Sequence, residues 1–355
     1  MNVGIDNSPL VSSHKLAHKI RGTGFYTKNL IDALEKYHPE HKYVLFTQGS
    51  HVTEPIDVFH YPYFEPFFVS LPLKKLGKTI VTVHDLTPLV FPQLFPVGIK
   101  GKIKYRIQKF LAKKSDAIIT DSKSSKNDIE RFFNISKSQV FSVPLAAAPH
   151  FKKIEISSKA KDTLLKKYSL PEEFVLYVGD ATPNKNLKRL VEAVIKLNLS
   201  LVMVGGALSN KEIDGSHPWN KELKYVQEQE KVNSNIHILG FVSDEDLVSL
   251  YNLARMFVFP SLYEGFGLPV LEAAACGCPV VTSKGGSLEE VMGDAALYID
   301  PTSEEDIISV VKKLYGDKKL QSEYSARGIK RAAEFSWEKT ADNTVKVYEK
   351  IFSEK

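Results

Sequence analysis

The sequence has few cysteines. Only two occur in 355 residues, Cys276 and Cys278, and a single residue separates them. This spacing is too short for ordinary disulfide geometry, and two thiols are too few for a structural metal site. A disulfide framework is therefore excluded, and a reducing compartment is expected.

Long apolar runs are also missing. No stretch approaches the ~20 apolar residues needed to cross a bilayer, and the first residues lack the basic and apolar regions of a signal peptide. We therefore expect a cytoplasmic protein, with peripheral attachment to the inner face of the membrane as an open alternative. There is no repeat or low-complexity tract. The net charge of +5 is too small to indicate a nucleic-acid partner.

Short apolar runs alternate with helical patterns along the chain, which predicts an α/β fold with mostly parallel sheets. The length favours two domains, and the alternation falls into two series, so we expect two doubly wound domains. They are predicted at 1–160 and 161–336, with a C-terminal helix at 337–355 that packs back on the first domain. The predicted strands are 3–6, 43–47, 58–61, 79–84, 117–120 and 140–144, then 174–179, 201–204, 236–240, 256–259, 280–282 and 296–299.

The segment 260–279 is the most informative about function. A predicted buried strand precedes the segment. Within the segment, a glycine-containing loop leads into a short helix that begins near Leu268. This arrangement places backbone N–H groups and a helix dipole at the carboxyl edge of a sheet, where α/β proteins bind phosphates. Glu264 and Glu272 flank the loop. Because carboxylates repel phosphate, both are expected to accept hydrogen bonds from sugar or ribose hydroxyls. A plain strand–helix connection with a capping carboxylate is the alternative.

Three other positions lie where predicted strands end or helices begin. Lys185 stands at a helix entrance after strand 174–179, which favours a diphosphate site over a solvated lysine. Gly22 and Gly24 begin the first long helix, where they would let the backbone approach a ligand or simply form a turn. His84 and Asp85 end strand 79–84. They indicate either contact with a transferred group or a capping Asp beside a core His.

Two charged segments have competing interpretations. Ser243 to Asp246 contains an Asp-x-Asp pattern, but Ser243 with Asp246 before an apolar run predicts helix capping, and no metal site is expected. The segment 100–114 carries seven cations and no acid. It is either a solvated face or a docking surface for an anionic membrane.

These motifs resemble glycosyltransferase family 4, whose members are retaining enzymes with the two-domain GT-B fold. The resemblance rests on segment 260–279, Val-His84-Asp85-Leu-Thr-Pro, Gly22-Thr-Gly24 and Val-Gly179-Asp-Ala-Thr-Pro-Asn184-Lys185-Asn, and it extends over nearly the whole chain. It implies two Rossmann-like domains facing across a cleft, with an acceptor domain first and a nucleotide-sugar donor domain second.

The resemblance also implies roles for individual residues. It assigns catalysis to His84, Glu264 and Lys185. Donor binding is assigned to Gly22, Gly24, Gly179, Asn184, Lys185, Phe241, Val242, Glu264, Gly265, Phe266, Gly267, Leu268 and Glu272. The acceptor side is assigned to Arg21, Asp85 and Ser122. Within the donor set Glu264 would contact the hexose, Glu272 the ribose, and the backbone at 241–242 the base. Many relatives carry arginine where this chain has Asn184, which leaves Lys185 with more of the phosphate charge.

The expected reaction is metal-independent, retaining transfer of a hexose without a cofactor. The pattern is most similar to members that move mannose from GDP-mannose to a saccharide or lipid-linked acceptor in polysaccharide or O-antigen assembly. Alternatives are a UDP-sugar-dependent transferase, a sugar-nucleotide epimerase and an inactive nucleotide-sugar-binding scaffold.

Overall fold

The computed structural model describes residues 1–11, 22–50, 52–210, 214–215 and 217–354. They form two compact units. Unit 1 comprises Met1–Pro92, Pro96–Ala146 and Phe335–Lys355, and unit 2 comprises Gln93–Phe95 and Ala147–Glu334. Each unit contains one six-stranded parallel sheet. The predicted α/β class, with one parallel sheet for each of the two series of strands, is confirmed.

The sheet of unit 1 has the strand order β2-β1-β3-β4-β5-β6. Its strands are β1 (Asn2–Asp6), β2 (Lys42–Phe46), β3 (Val58–Tyr61), β4 (Lys78–Thr82), β5 (Ala117–Thr120) and β6 (Val140–Ser142). The helices between them are α1 (Gly22–Tyr37), α2 (Thr87–Val90), α3 (Ile99–Lys113) and α4 (Lys123–Phe133). Every residue of β3 and β5 is buried, as expected for parallel strands covered on both faces.

The sheet of unit 2 has the order β9-β8-β7-β10-β11-β12. Its strands are β7 (Val175–Val178), β8 (Leu201–Val204), β9 (Ile236–Gly240), β10 (Met256–Phe259), β11 (Val280–Ser283) and β12 (Ala296–Ile299). Its helices are α5 (Ser158–Tyr168), α6 (Leu187–Lys196), α7 (Lys221–Val232), α8 (Asp244–Leu253), α9 (Leu268–Ala275), α10 (Leu288–Met292), α11 (Glu304–Gly316) and α12 (Lys318–Ala332). The strand order reverses between β7 and β10. Open α/β sheets bind their ligands at such a switch point.

The last helix, α13 (Trp337–Ser353), belongs to unit 1, as the sequence predicts for a helix that returns to the first domain. The hydroxyl of Tyr348 lies 2.6 Å from Nδ1 of His60 on β3. Thr340 donates to the carbonyl of Pro144 over 2.8 Å. These contacts tie the chain terminus to the first sheet.

The boundary between the units differs from the predicted one at 160. The chain passes into unit 2 after Ala146 because the connecting segment packs there. The Phe151 ring meets Tyr251 at 5.8 Å, and the Ile154 N–H donates to Asn252 Oδ1 over 2.9 Å. Among the described residues, no helix combines the length and the apolar character needed to cross a membrane.

Candidate functional site

The residues predicted for the site fall into two groups, one in each unit, while Arg21 lies outside the described residues. In unit 2 the central feature is an ion pair between Lys185 and Glu264. Lys185 ends a short turn after β7, and Glu264 follows β10. Nζ of Lys185 lies 2.7 Å and 3.0 Å from the two carboxylate oxygens of Glu264. The two side chains are only 14% and 11% exposed, so Lys185 is not a solvated surface lysine.

Buried amides hold the Glu264 loop from the side of β7. The side-chain amide of Asn184 donates to the carbonyl of Tyr263 over 3.0 Å. The backbone carbonyl of Asn184 accepts from the N–H of Leu262 over 2.7 Å. Asn186 donates to the carbonyl of Pro260 over 3.2 Å. The side-chain amide of Asn184 is therefore used to position the loop.

The segment after β11 holds the same loop from the other side. Gly286 forms a parallel bridge with Glu264 and has a φ of +68°. A Cβ added at Gly286 would lie 2.2 Å from the carbonyl oxygen of Glu264, so only glycine fits. Ser287 donates to that oxygen through its N–H and its hydroxyl, each over 3.1 Å. Glu264 is thus fixed by its backbone as well as by Lys185.

The loop then turns into α9 through Gly265, Phe266 and Gly267. The Phe266 side chain is buried, and Gly267 adopts a φ of +91° immediately before the helix begins at Leu268. A Cβ at Gly267 would lie 2.7 Å from Cδ2 of Leu288. The first turn of α9 directs backbone N–H groups and the positive end of its dipole toward the edge that carries Lys185.

Glu272 lies on α9 and is buried. The hydroxyl of Tyr251 donates to its Oε2 over 3.1 Å. Burial raises the pKa of Glu272 to about 7, and the hydrogen bond from Tyr251 only partly offsets this effect. The charge of Glu272 therefore changes near neutral pH. Hydroxyl groups of a ligand would stabilise its ionised form.

Three predicted donor residues flank this edge of the sheet. Gly179 directly follows β7, and its N–H donates to the carbonyl of Val204 over 2.9 Å. Phe241 and Val242 follow β9. The Phe241 ring is 83% exposed, whereas Val242 is buried. An exposed aromatic face next to a buried anchor can stack on a planar ligand group.

The Asp-x-Asp segment is confirmed as a helix cap. Ser243 Oγ accepts from the N–H of Asp246 over 3.2 Å at the start of α8. Lys167 and Tyr168 each place a donor 2.6 Å from the Asp246 carboxylate. Within the described part of the chain, no group of three or more His, Cys, Asp or Glu side chains is arranged to hold a metal ion.

In unit 1 the main feature is a pair formed by His84 and Asp121. They follow the neighbouring parallel strands β4 and β5, and Nδ1 of His84 lies 2.8 Å from Oδ2 of Asp121. Burial lowers the pKa of His84, but the Asp121 carboxylate outweighs this effect, and the net pKa is raised. Nε2 of His84 is buried and makes no regular hydrogen bond among the described residues, although the carbonyl of Pro62 lies close enough to help raise the pKa of the ring. Asp121 was not predicted, although its place after strand 117–120 matches that of His84 after its strand.

A buried polar network lies beneath this pair. The Tyr26 ring meets His84 edge-on at 4.6 Å, and its hydroxyl lies 3.1 Å from Thr82 Oγ1. Nε2 of His60 is 2.7 Å from the same Thr82 oxygen. Burial lowers the pKa of His60 to about 3, so this ring stays neutral at physiological pH. Together with Tyr348, the network connects the environment of His84 to α13.

The remaining predicted residues of unit 1 lie at helix starts. Asp85 Oδ1 accepts from the N–H of Thr87 over 2.9 Å, one residue ahead of Leu86, which is the N-cap residue of α2. Ser122 caps α4 by accepting from the N–H of Ser125 over 3.0 Å. Gly22 and Gly24 lie in the first turn of α1.

The chain is similar to known glycosyltransferases. The sequence model of the family described as Glycosyl transferases group 1 matches residues 161–331. The O-antigen chain mannosyltransferase B of Escherichia coli is 34% identical over 77% of this chain and 71% of the relative. The serotype-specific mannosyltransferase WbdA of E. coli is 30% identical over 81% of this chain, which spans only 35% of that larger protein. The structure of sucrose-phosphate synthase from Thermosynechococcus elongatus superposes with a TM-score of 0.77 at 17% identity over 99% of both chains, which shows the shared GT-B fold.

Proposed function

The chain belongs to the group 1 glycosyltransferases, and from this premise we propose that it is a retaining, family 4 enzyme that transfers mannose from GDP-mannose to a saccharide or lipid-linked acceptor. The preference for mannose, and with it for GDP-mannose, is supported by the mannosyltransferase names of the two E. coli relatives. Their names also support a role in O-antigen or related polysaccharide assembly. No contact of a described residue selects guanine, so UDP is the alternative nucleotide.

The observation that carries this proposal is the Lys185–Glu264 pair at the switch point of the second sheet. A diphosphate bound there would meet the Lys185 ammonium and the N-terminus of α9. Both would stabilise the negative charge that develops on the departing diphosphate. Glu264, held at its backbone and oriented by Lys185, would accept hydrogen bonds from the hexose.

Glu272 is assigned to the ribose and Phe241 to the base. The buried Glu272 carboxylate can accept both ribose hydroxyls, and this contact would favour its charged form. The exposed ring of Phe241 offers a stacking face, and the backbone at Val242 offers polar groups to the base edge.

The proposed mechanism needs no enzyme nucleophile. Glu264 is tied to Lys185 and fixed at its carbonyl, which suits binding of the donor better than attack at the anomeric carbon. The acceptor hydroxyl would instead attack on the face that the leaving group vacates, with a phosphate oxygen as base. Lys185 and α9 would replace a metal ion in holding the diphosphate, and His84 is assigned to contact the transferred sugar.

The first experiment is calorimetric titration with GDP, UDP and ADP. The wild type is compared with Lys185→Ala and with the matched control Lys188→Ala, an exposed lysine on α6. We expect GDP binding that Lys185→Ala weakens at least tenfold and that Lys188→Ala leaves unchanged. Tighter binding of UDP would keep the reaction class but move the donor to a UDP-sugar. No binding of any nucleotide would contradict the proposal.

A second experiment tests the role of Glu264. Glu264→Gln should bind GDP nearly as well as the wild type does, but should lose affinity for GDP-mannose and turnover with it. Turnover with excess EDTA tests metal independence. If Glu264→Gln kept full turnover and donor affinity, the assigned contact with the hexose would be wrong.

A further inference from the structure

Helix α3 of unit 1 has an exposed apolar stripe on the side opposite its buried face. The stripe consists of Ile99, Ile103, Ile107 and Phe110, which are between 37% and 78% exposed. At 3.6 residues per turn these four side chains fall within an arc of about 80°. The buried residues of the helix, Gln108 and Ala112, lie on the other side. Burial in unit 1 therefore does not explain the stripe.

A neighbouring loop extends the apolar surface. Phe68, Val69, Leu73 and Leu76 are between 49% and 75% exposed. The loop is joined to α3 by Leu111 and Lys114, which line one cavity together with Leu73 and Lys75 of the loop, and Lys114 lies 4.3 Å from the centre of the Phe110 ring of the stripe. Lys104 of α3 lies 5.2 Å from the centre of the Phe68 ring. The stripe and the loop are thus one surface, which we call the α3 face.

Cations flank this surface. Between residues 99 and 114 the sequence has seven Lys and Arg residues and no acid. On α3, Lys102, Lys109 and Lys113 fall on one side of the stripe and Lys104 on the other, at about 100° per residue. This pattern of a central apolar stripe with cations along its sides is that of a helix lying in a membrane interface.

We infer that the α3 face docks on an anionic lipid surface, with the stripe inserted among the acyl chains and the flanking cations at the headgroups. Charge complementarity favours this occupant. A second copy of the chain would bring the seven cations of this segment against seven others, and a nucleic acid would leave the central apolar side chains against phosphate. The inference is independent of the proposed function because vesicle binding requires no nucleotide.

The test is flotation of the full chain with vesicles of phosphatidylcholine, with and without about one third phosphatidylglycerol. We expect binding only to the anionic vesicles, and weaker binding as salt rises. Ile103→Asp with Ile107→Asp should lower the partition coefficient at least tenfold. Replacing Lys102, Lys109 and Lys113 by Gln should lower it by roughly fivefold per lysine at low salt.

Matched controls lie on unit 2. Val232→Asp changes an apolar residue that is more exposed than Ile103 and Ile107, and Gln at the exposed Lys318, Lys319 and Lys330 removes the same number of charges as the triple lysine variant of α3. Neither should alter vesicle binding. Thermal midpoints and GDP affinities equal to the wild type would show that the variants are folded.

Two results would overturn the inference. One is vesicle binding that the α3 variants and the controls reduce equally. The other is absence of vesicle binding together with a dimer in sedimentation equilibrium that Ile107→Asp dissociates, which would make the α3 face an interface between copies.

Discussion

Glu272 should destabilise unit 2 above neutral pH, and Glu272→Gln should remove that cost. The carboxyl is 9% exposed, and burial raises its pKa from 4.5 to about 7. When no ligand is bound, ionising this buried carboxyl lowers the stability of the folded unit. This cost is what we expect of a group placed to meet hydroxyl donors.

The sign and size follow from proton linkage. Because the folded protein holds the Glu272 proton more tightly than the unfolded chain does, its contribution to stability is complete below about pH 4.5 and is lost as the pH rises through about 7. The shift from 4.5 to about 7 corresponds to about 3 kcal/mol at about 1.4 kcal/mol per unit. Gln does not titrate. The advantage of Glu272→Gln in unfolding free energy should therefore grow by roughly 2–3 kcal/mol between about pH 5 and pH 8.

Each unit carries one tryptophan, which allows the assay to follow unit 2 alone. Trp219 lies in unit 2 and Trp337 in unit 1. Urea unfolding is followed by Trp219 fluorescence in a Trp337→Phe background at both pH values, with Glu228→Gln on the surface of α7 as the control. A free-energy gap between the wild type and Glu272→Gln that does not change with pH would refute the reasoning.

The same substitution tests the assigned ligand. Hydrogen bonds to a charged group contribute about 1.5–3 kcal/mol each, so Glu272→Gln should bind GDP roughly 10- to 100-fold more weakly. The wild type should bind 2′-deoxy-GDP more weakly than GDP by a similar factor, whereas Glu272→Gln should bind the two nucleotides with nearly equal affinity. Both ligands carry the same phosphates, so their comparison isolates the ribose. Equal discrimination in both proteins would place the ribose elsewhere.

Two further substitutions test how the site residues are held. Asp121→Asn should lower the pKa of His84, which is measured from the NMR chemical shift of a ring carbon as a function of pH. The His60 signal serves as an internal control, because it should stay constant between about pH 5 and 8. An unchanged pKa of His84 would mean that Asp121 does not raise it. Gly286→Ala should impair GDP-mannose turnover and destabilise unit 2 by more than about 1 kcal/mol, because the alanine Cβ would collide with the loop after β10. Near-normal stability and turnover in this variant would show that the loop can move.

The strands were predictable because parallel strands buried on both faces are short, uninterrupted apolar runs. The predicted bounds 58–61, 117–120, 201–204, 236–240, 256–259 and 296–299 agree with the structure at both ends. Strand 79–84 was predicted too long. β4 ends at Thr82, although the N–H of the next residue, Val83, still donates to the carbonyl of Ile119 on β5 over 2.9 Å.

The contacts within the site could be predicted only in part. That Lys185 and Glu264 share a sheet edge follows from their places after two strands, but their direct ion pair depends on β7 and β10 being neighbours. The strand order is set by crossover connections, which a linear pattern does not reveal. Asp121 was overlooked for a related reason, since a single Asp after a strand has meaning only beside the His84 of the next strand.

Asn184 shows how a departure from a family pattern acquires a physical reason. From the sequence, replacement of an arginine means only a lost positive charge near the phosphates. In the structure its amide accepts from Thr182 Oγ1 over 2.8 Å while it donates to Tyr263. A guanidinium has no acceptor and could not reproduce this pair of bonds. At this position the chain has a neutral amide that fixes the Glu264 loop, and in the proposed donor site Lys185 would supply the positive charge that meets the diphosphate.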